Sequence, residues 1–279
     1  MARQAGRTAG ALLAARIAEQ SGVLAGLGPA VRADAPDSVH QMRIASRRVR
    51  SALRAYGPPL AGVAGELRWL ASVLGQARDS EVLGELLIGR AARLPAECGP
   101  EQLVTRLTTW SRAQAEQARP QVLAALDGPR YAALTATLAR LSAEPPPADG
   151  LPALAELARR EQRRVSARLR AAAAAESGTE RDGELHEARK AAKWARYLGE
   201  TAGPSARAFT ARMKALQELL GVHQDSVVAC GALRGLAREQ PGEGFGYGVL
   251  YGEQLAVAAR AREQLPEVWR RARREPFGD

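Results

Sequence analysis

Apolar residues recur every three or four positions over most of the chain, the period of a helix with one buried face. Leu12, Leu13, Ile17, Leu24 and Leu27 mark a first helix from about Thr8 to Ala33, weakened late by Gly22, Gly26 and Gly28-Pro29. Met42, Ala45, Val49, Ala52, Leu53 and Tyr56 mark a second. It is opened by the Asp34–Asp37 segment with Pro36 and stopped by Gly57-Pro58-Pro59. The positions between those apolar residues are unusual. His40, Arg43, Arg47, Arg50 and Arg54 fall within roughly 80° of arc on the opposite face. No acid interrupts this ladder, so it repels itself and calls for water or an anion.

The same periodicity continues downstream. Leu67, Leu70 and Leu74 line a helix from about Leu60 to Leu74, with Gly75 as a terminating glycine. Asp79-Ser80 then caps a helix to about Leu94. Two further helices cover about Glu101–Leu126 and Pro129–Ser142. The Pro-rich segment 144–150 is the clearest boundary. Helices are expected next over about Pro152–Ala175, Asp182–Gly199 and Ser205–Leu220. Another runs from Asp225, read as a cap, to about Glu239, and a last one over Phe245–Arg274.

The second stretch repeats the first. His186, Arg189, Lys193 and Arg196 lie 146 residues after His40, Arg43, Arg47 and Arg50. Leu74-Gly75 and Asp79-Ser80 recur as Leu220-Gly221 and Asp225-Ser226 at the same 146-residue spacing. Repeat arrays have periods of about 20–50 residues, so this spacing indicates a duplicated domain half. The expectation is an all-α protein of two helical bundles, residues 8–143 and 151–275, joined by the 144–150 linker. A pseudo-twofold arrangement would face the two ladders into a shared groove or cavity. Asp79 and Asp225 read as caps, or as partners that orient the arginines.

Composition narrows the chemistry. The formal net charge is +10 and the aromatic content only 4%, which favours polyanionic partners. Only three of the 40 basic residues are lysines, and Lys190, Lys193 and Lys214 all lie within or just after the second ladder. Arg68 and Lys214 correspond under the offset and are further candidate ligands. Arg78 faces Gln224 as its counterpart, so it would serve one half only. Arginine grips phosphate oxygens in pairs while lysine acts as a point charge. A single ladder could be a solvated face; two at one spacing argue for a shared site.

Other classes find little support. Cys98 and Cys230 show no metal spacing and suggest reduced thiols. No apolar run reaches the roughly 18 residues of a membrane span, and the N-terminus reads as a helix start and not as a signal peptide. HExxH, CxxC, phosphate-loop and Ser-His-Asp signatures are missing. His40, His186 and His223 form no ligand cluster. No catalytic residue, cofactor or metal is therefore expected.

The stretches HQMRIASRRVRSALR, LRWLASVLGQARDSEVL, HEARKAAKWARYLGE and MKALQELLGVHQDSVVA resemble the CHAD domain, the conserved-histidine α-helical domain, over about residues 8–275. The resemblance implies two pseudo-symmetric bundles around a basic cavity or pore, and binding of inorganic polyphosphate. It also implies cytoplasmic residence, association with polyphosphate granules, and partnership with CYTH-type triphosphatases or other polyphosphate-metabolising enzymes. No room remains here for a fused CYTH domain, so such a partner is expected to be a separate protein. By motif position the family's ligands fall on Arg43, Arg47, Arg50, Arg189, Lys193, Arg196 and Lys214, with His40 and His186 as the eponymous histidines. Nucleic acid is the competing polyanion, and a phosphohydrolase the least favoured alternative.

Overall fold

The computed structural model describes residues 2–277, with the side chains of residues 2–7, 77–78 and 241 outside the description. The described residues form α-helices and short 3-10 turns, without strands. In order the helices are α1 (Ala2–Gly26), α2 (Gly28–Arg32), α3 (Ser38–Ala55), α4 (Ala61–Ala91) and α5 (Pro100–Asp127). They continue as α6 (Pro129–Ala143), α7 (Leu154–Ala174), α8 (Gly178–Ala202), α9 (Arg207–Glu239) and α10 (Gly244–Ala272). The fold is all-α, as the periodicity requires.

Two expected breaks do not occur. Gly75 and Gly221 lie inside α4 and α9, which run unbroken for 31 and 33 residues. A mid-helix glycine costs about 1 kcal/mol relative to alanine. Leu67, Leu70, Leu74 and Leu87 of α4 are fully buried around it, as is Leu216 in α9, and each such burial contributes about 1.5–3 kcal/mol. Packing outweighs the local signal, so Asp79 and Asp225 are mid-helix residues and not caps. A break does fall at Leu27, where the first helix was expected to continue. Pro29 brings no N–H there, yet Val31 N still donates to Leu27 O at 3.0 Å, so α1 bends into α2.

Several features recur at the 146-residue spacing. Gly57 and Gly203 share φ +77°, with ψ −146° and −143°. That region is accessible essentially to glycine alone, and each residue turns the chain from a ladder helix into a long one.

The apolar residues form two cores. The larger joins Leu13, Ile17, Leu53 and Leu67 to Val165, Ala192, Phe209 and Met213. The smaller joins Leu87 and Ala91 of α4 and Leu103 and Leu107 of α5 to Leu233 of α9 and Tyr247 and Leu250 of α10. Both cores draw on residues before and after the 144–150 segment. Along α4 and α9 the polar stretches from Gly75 to Ser80 and from Gly221 to Ser226 fall between the two cores.

Gly246 sits where α10 crosses the turn before α5. A Cβ there would lie 2.6 Å from the Cys98 carbonyl oxygen and 2.5 Å from Leu103 Cδ1. Gly246→Ala is expected to destabilise the protein by about 1–3 kcal/mol through overpacking, a fall of roughly 3–10 °C in Tm by circular dichroism. Gly248→Ala, with nothing within 4 Å, is the control and should melt no lower than the parent.

Candidate anion-binding site

The apolar faces of α3 and α8 are buried: Met42, Ala45 and Val49 on one, Ala188, Ala192 and Ala195 on the other, all at 0% exposure. This leaves the ladders on the remaining faces. The two helices also touch directly. Trp194 of α8 carries two α3 guanidiniums over its ring, Arg54 at 4.2 Å and Arg50 at 5.1 Å from the centroid. Glu200 of α8 binds from both sides, with Arg48 Nε at 3.3 Å and Arg196 Nε at 3.1 Å. Arg16 of α1 donates to the Glu200 carbonyl at 2.8 Å.

Each long helix admits one arginine over its central glycine. Arg43 lies against Gly75, where a Cβ would sit 3.3 Å from its terminal nitrogen. Arg189 lies against Gly221, where a Cβ would sit 3.3 Å from Nε. The Nε atoms of both are buried without a hydrogen-bond partner among the described residues. Arg43 also forms a paired contact with Asp79, at 2.6 and 3.1 Å. Burial pushes the Asp225 carboxyl up, Arg189 and more weakly Lys193 oppose that shift, and Asp79 reinforces it. The two acids therefore lie within electrostatic reach of each other and of Arg189.

Arg47 and Lys193 are the corresponding residues one turn further along. Neither forms an ion pair with a carboxylate among the described residues. Burial, then Arg43, with Arg189 adding a smaller effect, lowers the Arg47 pKa to about 10. Lys193 is lowered further, to about 6, by burial and then by Arg47, Arg189, Arg43 and Arg196. Charges from α3 and α8 thus converge on one desolvated centre, where Asp79 and Asp225 offset only part of the positive charge.

The CHAD domain family model matches residues 15–234. The chain belongs to the CHAD domain family. Uncharacterized proteins Rv2226 and MT2285 of Mycobacterium tuberculosis, from strains H37Rv and CDC 1551, are each 37% identical over 254 residues. The match covers 87% of this chain and 49% of each relative, so the chain spans about half their length. The CHAD domain from the plant Ricinus communis superposes with a TM-score of 0.69 at 27% identity, covering 96% of this chain and 93% of that one. PptA from Streptomyces chartreusis shares the fold, with a TM-score of 0.78 at 21% identity over 94% of this chain and 99% of its own.

Basic residues flank the centre of this CHAD domain on both sides. On one, Arg50 feels the charges of exposed Arg68 and of Arg54. Nearby Glu161 accepts from Arg54 at 3.5 Å and from Arg164 at 3.0 Å. Glu161 is 9% exposed, and burial raises its pKa against the pull of Arg54 and Arg164. On the other side a cleft of about 710 Å³ is lined by Arg16, Arg48, Arg196, Glu200, Arg207 and Lys214.

The remaining candidates sit at the edges. His40 is partly buried in the first turn of α3. Burial, then the charge of Lys190, lowers the His186 pKa, while Gln224 contacts the ring and raises it slightly. Lys190 is exposed and 2.6 Å from Glu187, and Lys214 is exposed and 3.5 Å from Glu218. The Arg78 side chain lies outside the described residues. His223, 2% exposed, is a packing histidine 3.3 Å from both Asp182 and Arg262.

Several site residues were not legible beforehand. Glu200 stands four residues after Arg196, a helix ion-pair spacing that could have been noticed. Arg16, Arg207 and Glu161 come from distant segments and give no local signal. Among the described residues no group of three potential ligands could hold a metal, and no helix is long and apolar enough to cross a membrane.

Proposed function

We propose that this CHAD domain protein binds inorganic polyphosphate without chemical turnover, through the centre formed by Arg43, Arg47, Arg189, Lys193 and Arg196. The observation that carries this reading is the pair Arg47 and Lys193, desolvated, without an ion pair among the described residues and amid several like charges. A bound phosphate chain would supply the missing counter-charge and give Lys193 the proton it otherwise sheds near neutral pH. Arg50, Arg54 and Arg68 on one side, and Arg196 and Lys214 on the other, extend basic charge beyond the reach of a single phosphate. A long chain of repeating anions fits that extent better than an isolated one. His40 stands in the first turn of α3, a position that favours anions, whereas His186, expected at a helix start, lies two turns inside α8. The family resemblance adds a cytoplasmic setting at polyphosphate granules and a CYTH-type enzyme as partner.

One observation separates this from nucleic-acid binding. Single-stranded recognition uses exposed aromatic faces, yet Trp194 is already covered by Arg50 and Arg54. Calorimetric titration with polyphosphate should show affinity rising with chain length. With about six phosphate contacts, affinity should fall roughly 300-fold between about 50 and 200 mM salt. Transfer RNA at equal phosphate concentration should displace less than half of the bound polyphosphate. Full displacement, or a flat salt response, would remove the basis of this reading.

A further inference from the structure

The cleft of about 710 Å³ has five cations on its described lining, Arg16, Arg48, Arg196, Arg207 and Lys214, and a single acid, Glu200. Glu200 stands in the last turn of α8 with its side chain 19% exposed. Its Oε2 accepts from Arg48 Nε of α3 at 3.3 Å, and its Oε1 lies 3.1 Å from Arg196 Nε of α8. The second contact is one of charge alone, because Arg196 Nε is buried without a hydrogen-bond partner among the described residues. Arg16 fixes the backbone here by donating to the Glu200 carbonyl at 2.8 Å. Arg196 also acts on Lys193, so the cleft and the centre share a residue.

We propose that Glu200 is a specificity-determining residue, a resident carboxylate that a polyphosphate chain displaces from Arg48 and Arg196 and that orthophosphate leaves in place. This rests on the reading of the centre as a polyphosphate site. The carboxylate stands where a phosphate oxygen would, between guanidiniums of both ladder helices, yet it accepts only one hydrogen bond from these two among the described residues. Each phosphate within a chain offers two free oxygens, which guanidiniums grip in pairs.

Orthophosphate gains little by entering. It exchanges one anion for another and loses its own freedom of motion. A chain anchored at the centre presents its next phosphates at an effective concentration of the order of millimolar, so the exchange is intramolecular. Glu200 thus lowers the affinity for the chain and keeps the cleft free of orthophosphate.

Long-chain polyphosphate is titrated calorimetrically into the full chain and into Glu200→Gln, at constant ionic strength, without and with orthophosphate at about 10 mM, above the linked phosphates' millimolar scale. The variant should bind polyphosphate about tenfold more tightly, the equivalent of one charged contact released. Orthophosphate should weaken that binding less than about twofold in the parent and at least about threefold in the variant. Glu101→Gln removes the same charge from the exposed first turn of α5 and should change the affinity less than about twofold. If Glu200→Gln melts below the titration temperature, Glu200→Asp replaces it. The shorter side chain withdraws the carboxylate from both guanidiniums and should give an intermediate gain. A folded variant no tighter than the parent, a gain that orthophosphate does not erode, or an equal gain from Glu101→Gln overturns the proposal. A parent that binds no polyphosphate overturns the reading beneath it, and the proposal with it.

Discussion

Replacing Arg47 and Arg189 together by glutamine is expected to weaken polyphosphate binding by roughly 100- to 10,000-fold. Hydrogen bonds to charged groups contribute about 1.5–3 kcal/mol each, and both arginines belong to the centre where positive charge outnumbers the nearby carboxylates. Arg47 has no ion-pair partner among the described residues, and burial with neighbouring positive charge lowers its pKa to about 10. Glutamine keeps most of the side-chain volume and removes the repulsion, so the thermal midpoint should hold or rise. Calorimetry with long-chain polyphosphate checks the first part and a melting curve the second. A folded variant within about threefold of the parent affinity would contradict the proposed site, because a change that small is below one charged contact. Arg43 is a poorer choice for this test. Its removal also releases Asp79, now held at 2.6 and 3.1 Å, and a freed carboxylate would repel phosphate by itself.

The second large effect concerns the two halves. Residues 1–148 expressed alone are expected to show no cooperative unfolding transition, while the full chain cut within 144–150 should stay associated. Leu13, Ile17, Leu53 and Leu67 share a core with Val165, Ala192, Phe209 and Met213. Leu87, Leu103 and Leu107 share the other with Leu233, Tyr247 and Leu250. Each large side chain loses about 1.5–3 kcal/mol when uncovered, and several together exceed the roughly 5–15 kcal/mol that a domain has. Urea unfolding followed by circular dichroism tests the isolated half, and gel filtration tests the cut chain. A cooperative transition in the isolated half would show that its helices do not need the others. Weak anion binding by such a half would say nothing about shared ladders, since unfolding alone would produce it. Point substitutions in the full chain are the sound test of sharing.

The parts of the site that could be read in advance are those written in local spacing. The ladder on α3 and its counterpart on α8 follow from helical periodicity, and burial of Met42, Ala45 and Val49 confirms which face of α3 packs. Arg43 and Arg189, 146 residues apart, each rest on a glycine inside a long helix. The meaning of those glycines was not readable. Gly75 and Gly221 carry the signature of helix ends, and the same signature serves a helix interior where a guanidinium must approach the backbone. Only the neighbour decides between them. The same holds for Asp79, whose cap-like position in the sequence becomes a paired contact to Arg43 36 residues away.

Helix content, the positions of the two ladders, the excess of positive charge and the lack of metal or nucleophile motifs were therefore determined by sequence alone. These depend on periodicity and residue type within a few turns, which a single chain displays openly. Tertiary structure alone decided that α3 and α8 meet, that Trp194 is shared by Arg50 and Arg54, and that Glu161 and Glu200 neutralise the flanks. It also decided that Arg47 and Lys193 have no ion-pair partner among the described residues. Charge interactions depend on distance and desolvation, and both are set by which distant segments pack together.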